Sequence, residues 1–472
     1  MNRDRHALLR LSALSVASLT AFPAFASEGL DGASFSALWA LPFLGILLSI
    51  ALLPIFAHQV WEANQGKIST AWSFGLLVPL LLFSGSEATV HALVHTAFLD
   101  YLPFILMLLA LFTTAGGIVV RGNIHGSPAT NAALLVIGAL LASLIGTTGA
   151  SMVMIRPLIR ANDNRRHNVH IVVFFIFLVS NIGGSLTPLG DPPLFLGFLK
   201  GVHFFWTTTN LFRETLFVGA IILAVFVALD LYLYRKDGIT RDPTPDSPIR
   251  VSGIANMVLI GVVIAAVLIS ASWKPGTILM LAGIALEGQD LTRDAIMILV
   301  TLASLRLTRP DDRDDNGFNW GPILEVAKLF AGIFITMIPV IAMLKAGPHG
   351  AFAPLVALVS HGDGTPNRMA YFWLTGGLSS FLDNAPTYLV FFELAGGDAR
   401  HLMTEGALTL AALSAGAVFM GANSYIGNAP NFMVYAIARE RGVAMPSFFG
   451  YLLWSGAILI PTFVLTSLVF FS

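Results

Sequence analysis

The 472-residue chain is 56% hydrophobic and only 11% charged, whereas roughly a quarter of a soluble domain is charged. This excludes an ordinary soluble enzyme or binding module and predicts an all-α polytopic membrane protein; the formal net charge of −1 offers nothing to a nucleic acid. The absence of cysteine excludes thiolate metal sites, thiol catalysis and disulfides, and the 11 histidines form no tight ligand motif, so no cofactor is expected.

In chain order, Arg3, Arg5 and Arg10 precede an apolar run from Leu11 to Phe25, and Ala24-Phe-Ala26 is a small-x-small site before Ser27. That pattern predicts a signal peptide over 1–26, leaving Ser27 on the outer side of a bacterial-type inner membrane. The competing reading is a first spanning helix. Candidate spans or hairpin arms then fall near 36–57, 71–86, 98–120, 130–146, 168–188, 213–235, 252–271, 275–305 (one span or two short ones), 322–345, 350–360, 366–394, 405–425 and 447–471. His91, His95 and Asp100 lie in an expected outer loop. The basic loops at Arg156–Arg166 and Arg235–Arg250 are expected on the cytoplasmic side.

Within these apolar stretches the chain repeats itself. Gly184-Ser-Leu-Thr-Pro-Leu-Gly190-Asp-Pro-Pro193 returns as Gly421-Ala-Asn-Ser-Tyr-Ile-Gly427-Asn-Ala-Pro430, and Leu141-Ala-Ser143 returns as Leu378-Ser-Ser380, both at an offset of 237 (184 to 421, 141 to 378). Paired interruptions of hydrophobic segments point to the binding site of a repeat-built secondary transporter. The chain divides accordingly into the signal segment, a first transmembrane repeat over 27–235, connecting scaffold helices over 236–321 and a second repeat over 322–472.

Four broken segments carry the chemistry. Thr147 and Thr148 interrupt the first apolar run, and Asp383, Asn384 and Thr387, with Pro386, interrupt its counterpart. Freed backbone groups are tolerated in lipid only when buried in protein or lining a wet cavity, a condition that a helical hairpin entering partway satisfies. The competing reading of the second segment is a kinked helix capped by Asp383. The other pair places Asn181, Ser185, Thr187 and Asp191 around Gly184, Gly190 and two consecutive prolines, and Asn423, Ser424, Asn428 and Asn431 around Gly427 and Pro430. Such prolines cannot continue a regular helix. Unwound carbonyls with amide and hydroxyl oxygens suit a hard cation, while the new helix N-termini suit an anion; spacing alone does not choose.

Charge helps to choose. An ionisable residue at membrane depth is a functional candidate by default, and Asp191 and Asp383 each sit in a broken segment with no arginine beside them. A carboxylate holds a proton or Na+ but not both, which is the simplest basis for exchange. Asp383 is expected to be the competing carboxylate and metal ligand, with Asn384 and Thr387 as its oxygen partners and Asp191 a second contributor. Single carboxylates in matched positions do not resemble the acidic cluster of an intramembrane metalloenzyme, so no enzyme is expected. Glu393, on the return arm, is a candidate proton relay or a membrane-edge residue.

Ser180 to Pro193, Phe381 to Thr387 and Gly421 to Asn431 resemble the signatures of the ion transporter superfamily, which includes arsenite-pump membrane subunits, pink-eyed-dilution P proteins, D-type Na+/H+ antiporters, and citrate and dicarboxylate carriers. The resemblance covers about 30–470. It implies two inverted-topology repeats, each with a re-entrant helical hairpin and an unwound transmembrane helix. It also implies scaffold helices that mediate a homodimer, and a transport domain that moves as an elevator. Carried over by position, the ion site comprises Thr147, Thr148, Asn181, Thr187, Asp191, Asp383, Asn384, Thr387, Asn423 and Asn428. The first hairpin reads Gly-Thr-Thr-Gly where many relatives have a Ser-Asn tip, so two equivalent sites are not expected. Na+ (or Li+) exchange for H+ is the expected activity, and a Na+- or H+-coupled organic anion carrier of the citrate or dicarboxylate type is the alternative.

Overall fold

The computed structural model describes residues 30–238 and 247–472, so the expected signal segment and part of the basic loop at Arg235–Arg250 lie outside the described residues. Eight helices among the described residues are long and apolar enough to cross a membrane. With almost no sheet, this is an all-α polytopic membrane protein.

The first helices are α1 (Leu41–Phe56) and α2 (His58–His95), and α2 runs through a π-helical turn, Thr96–Tyr101, into α3 (Leu102–Ala115). The loop expected around His91 is therefore absent. The residues between 87 and 97 include no glycine or proline, so nothing there interrupts the backbone ladder; the break comes earlier, at Gly85 (φ 79°, ψ 168°). His95 and Lys200 both face Asp100, at 3.7 and 2.8 Å.

Strand β1 (Val119–Arg121) leads to a hairpin of α4 (Pro128–Ile145) and α5 (Thr147–Arg160), joined by Gly146 alone. Gly146 has φ 80°, which a residue with a side chain rarely adopts. An interrupted helix follows: α6 (Val169–Leu178), a 3-10 turn at Ile182–Leu186, then α7 (Pro192–Leu199). A short α8 (Trp206–Asn210) precedes the long α9 (Phe212–Asp237). Strand β2 (Arg250–Ser252) pairs antiparallel with β1, Val120 opposite Val251. Asn123 N–H reaches Ser247 O (3.3 Å), and His167 N–H reaches Asp237 Oδ2 (3.1 Å). His167, just past the first basic loop, thus meets Asp237 of the second, and Asn123 meets Ser247, at one end of the molecule.

Helix α10 (Ile254–Ser272) is followed by a correction to the span expected at 275–305. Its first part is a β-hairpin, β3 (Thr277–Leu281) with β4 (Ile284–Glu287), before α11 (Gly288–Leu307). Ala282 (φ 48°) and Gly283 (φ 80°) supply the two positive-φ positions that a tight hairpin turn needs. After α12 (Pro310–Asp315) and α13 (Gly321–Lys345), the stretch expected to span at 350–360 contains only α14 (Ala353–Leu358), about 9 Å long and too short to cross.

The second hairpin is α15 (Arg368–Ser379) and α16 (Asn384–Leu394); after α17 (Ala399–Met403) comes a second interrupted helix, α18 (Ala407–Met420), a turn at Gly421–Asn423, and α19 (Ala429–Glu440). Helix α20 (Phe448–Phe470) ends the chain. Burial separates two kinds of helix. The span Val169–Leu186 is 89% buried, whereas Phe212–Asp237 is 22% buried and presents its flanks outward. Helices α6 and α18, at matching places in the two repeats, are mostly apolar and almost wholly buried, with His170, Thr409 and Ser414 their buried polar residues.

Candidate functional site

The repeat in sequence is a repeat in hydrogen bonding. In the first half Ser143 Oγ donates to Gly183 O (2.5 Å) and Thr187 Oγ1 donates to Ser143 O. At the same offset, Ser380 Oγ donates to Met420 O (3.2 Å) and Ser424 Oγ donates to Ser380 O. Each hairpin is thus strapped to the interrupted helix of its own repeat. These straps also answer how unwound backbone survives at membrane depth, because side chains replace the missing helical donors. Thr207 Oγ1 donates to Leu186 O (3.1 Å), Tyr451 hydroxyl to Ala422 O (2.9 Å) and Ser455 Oγ to Asn423 O (2.7 Å).

Glycine is required where the unwound strands fold back on themselves. A Cβ on Gly190 would sit 2.1 Å from Gly184 O, and one on Gly427 would sit 2.5 Å from Gly421 O. Each repeat therefore brings the break back against its own start, and the residue after each returning glycine, Asp191 or Asn428, points into the centre.

Asp191 is the centre. It is 1% exposed and accepts three hydrogen bonds, from Thr147 Oγ1 (2.9 Å), Asn428 Nδ2 (2.9 Å) and Asn384 Nδ2 (2.5 Å). Thr147 begins α5, Asn384 begins α16, and Asn428 and Asp191 stand at the N-cap positions of α19 and α7, their side chains turned to the centre instead of capping. Four helix N-termini therefore converge on one carboxylate. Their partial positive charges favour an anion there by roughly 0.3–1 kcal/mol each, short of a full countercharge. The same offset of 237 relates Thr147 to Asn384 and Asp191 to Asn428. The two repeats supply equivalent scaffolding, and only one of them puts a charge in it.

The other expected residues are arranged around this centre. Asn181 donates to Asn431 Oδ1 (2.7 Å) and accepts from Asn428 Nδ2 (3.2 Å), tying the two interrupted helices together. Asn431 returns bonds to Gly421 O and Ser424 O, both at 2.8 Å. Asn423 donates to Ser380 Oγ (2.9 Å), and its Oδ1, like Asn384 Oδ1, is buried without a hydrogen-bond partner. Thr148 is half-buried beside Thr147. Thr187 serves as the strap described above.

Asp383 has a different setting from Asp191. It is half-buried at the hairpin tip, at the position equivalent to Gly146, and it caps α16 by accepting from Ala385 N–H (3.0 Å). Thr387 Oγ1 donates to the Asp383 backbone carbonyl (3.0 Å), and the Asn384 side chain turns away to Asp191. Of the two partners expected for the Asp383 carboxylate, Asn384 bonds Asp191 and Thr387 bonds the Asp383 backbone. Glu393 is 3% exposed, and its Oε2 has no hydrogen-bond partner.

Ser143 and Ser380 are contributors that the sequence alone does not place in the site, whereas Asn431 takes part as its place in the unwound segment suggests. The signal for the serines was present, because both recur at the 237 offset. No cluster of His, Asp and Glu suited to a resident metal occurs among the described residues.

No curated protein matches the chain. A family model described as "Putative citrate transport" matches residues 32–471, nearly the whole length. The chain belongs to that family of membrane transporters.

Proposed function

We propose that this protein is a secondary active transporter of the inner membrane that exchanges Na+ (or Li+) for H+ at Asp191. The observation that carries this reading is a fully buried carboxylate, at the junction of both hairpins and both interrupted helices, held only by neutral donors. A buried charge without an ionic partner is expensive, and the helix N-termini offset only part of it. A proton or a small hard cation completes the compensation, and one carboxylate accepts one or the other. Thr147, Asn384 and Asn428 orient the carboxylate, while the unpartnered Oδ1 atoms of Asn384 and Asn423 are oxygens of the kind Na+ prefers. Asp383, at the adjacent tip, supplies a second negative charge that raises the local preference for cations.

The second reading is an organic anion carrier, favoured by the family's description and by the convergence of helix N-termini. A citrate-type carboxylate is admitted beside Asp191 only after a proton or cation has neutralised it, which makes coupling obligatory. In either reading the transport elements move against the helices between the repeats, which would mediate a homodimer; cross-linking in membranes checks that assembly.

The test is proton flux in proteoliposomes with a preset pH gradient. Collapse on adding NaCl or LiCl, but not choline chloride, is the expected result. No response to either cation, together with gradient-driven uptake of labelled citrate, overturns exchange in favour of the anion carrier.

A further inference from the structure

Arg156, half-buried, differs from the fully buried arginines Arg165 and Arg293. Arg165 pairs with Asp230 (2.6 Å), and Arg293 pairs with Asp290 (2.8 Å) and Asp294 (3.0 Å). Arg156, on α5, has a buried Nη1 with no hydrogen-bond partner, and among the described residues it forms no ion pair. Arg160, Arg441 and Glu440 are the charged neighbours of Arg156, and Asp315 faces Arg160, so positive charge exceeds negative only at Arg156 itself. Helix α5 packs along α19, which puts Arg160 and Arg441 at an exposed rim above the deeper Arg156. The guanidinium packs against Gly317, where a Cβ would come 2.3 Å from Arg156 Nη2, so glycine is what lets the fork lie there.

A buried carboxyl can shed its charge by taking up a proton. A guanidinium has no such escape, because it stays protonated at any physiological pH. An unpaired buried charge is costly, and a planar fork of donors matches the two oxygens of a carboxylate or phosphate.

We propose that Arg156, with Arg160 and Arg441 at its rim, forms a binding site for an oxyanion, a carboxylate or phosphate group. The site is separate from the carboxylate centre: Arg156 follows Thr147 by nine residues on α5, about 14 Å along the helix axis. It lies towards the end where His167 meets Asp237, within reach of a lipid phosphate or of a soluble multivalent anion. The proposal is independent of cation exchange, and its failure leaves Asp191 untouched.

The test is thermal unfolding of the purified full-length protein in a neutral detergent, titrated with sodium phosphate, sodium citrate and, at matched ionic strength and sodium, sodium chloride. The same measurement is made in phosphatidylcholine nanodiscs with and without phosphatidylglycerol. Saturable stabilisation beyond that of chloride is expected, with the half-saturating concentration raised at least tenfold in Arg156→Gln and less in Arg156→Lys. Stabilisation by phosphate or citrate identifies a soluble anion, and stabilisation by phosphatidylglycerol alone identifies a lipid headgroup; either outcome supports the site. Responses no greater than that of chloride, or an Arg156→Gln protein that responds like the wild type, overturn it. Should Arg156→Gln fail to fold, Arg441→Gln at the exposed rim replaces it, and an unchanged response there overturns the site equally.

Discussion

Replacing Asp191 by asparagine separates the charge at the centre from the hydrogen bonds around it. Asp191 Oδ1 accepts from Thr147 and Asn428, and Oδ2 accepts from Asn384. In the variant, the amide oxygen keeps the first two bonds and the amide nitrogen replaces Oδ2. The nitrogen would then oppose the Asn384 Nδ2 donor, and an unrelieved clash of buried donors costs about 1–3 kcal/mol. Relief is available, because Asn384 Oδ1 is buried and unpartnered; rotating that amide presents an acceptor and restores three bonds. The fold should therefore lose no more than about 1 kcal/mol, and the melting temperature should fall by no more than about 3 °C. Transport should suffer far more. Removing the charged partner of a buried ion costs roughly 3 kcal/mol or more, which is about a hundredfold in affinity. Sodium-driven proton flux in proteoliposomes should thus drop by about two orders of magnitude in a protein that melts almost normally. Flux within about threefold of wild type would refute the placement of exchange at Asp191. If Asp383→Asn abolished flux while Asp191→Asn spared it, the coupling role would pass to the hairpin tip.

Other outcomes follow from the same geometry. Gly190→Ala should destabilise the protein by about 3 kcal/mol through overpacking, since its Cβ would sit 2.1 Å from Gly184 O; a melt indistinguishable from wild type would show that the unwound strand gives way freely. Asp230→Asn should be similarly disruptive, by roughly 3–5 kcal/mol, because it strands Arg165, whose side chain is 2% exposed, beside His170; chemical denaturation or thermal melting checks this. If proton and cation share one carboxylate, lowering the pH on the cation side fills it with protons, so the apparent KM for Na+ should rise as pH falls, approaching about tenfold per pH unit in the proton-dominated range. A KM flat across that range would argue for separate sites.

Much of the site was legible before folding because the signals were local. Pro192, Pro193, Pro386 and Pro430 remove donors, and Gly184, Gly190, Gly421 and Gly427 leave no side chain, so breaks at these places follow from covalent geometry alone. The helical run through His91 was misread because its polar residues looked like a loop, although none of them breaks a helix. The β-hairpin at Thr277–Glu287 was misread because an apolar stretch of that length has no periodicity that distinguishes strand from helix.

By itself the sequence determined the membrane character, the duplication and the identity of the polar residues at each break, since hydropathy, the 237-residue offset and proline chemistry are properties of the chain. Which carboxylate stands at the centre was a tertiary decision. On paper Asp191 and Asp383 are each a lone acid in a broken apolar segment, and the sequence alone favours Asp383. Only folding brings Asn384 across from the other repeat to Asp191 and leaves Asp383 capping α16. The reason is physical: the pairing spans 193 residues of chain and depends on two hairpin tips and two unwound strands arriving at one point, a coincidence that no local pattern encodes.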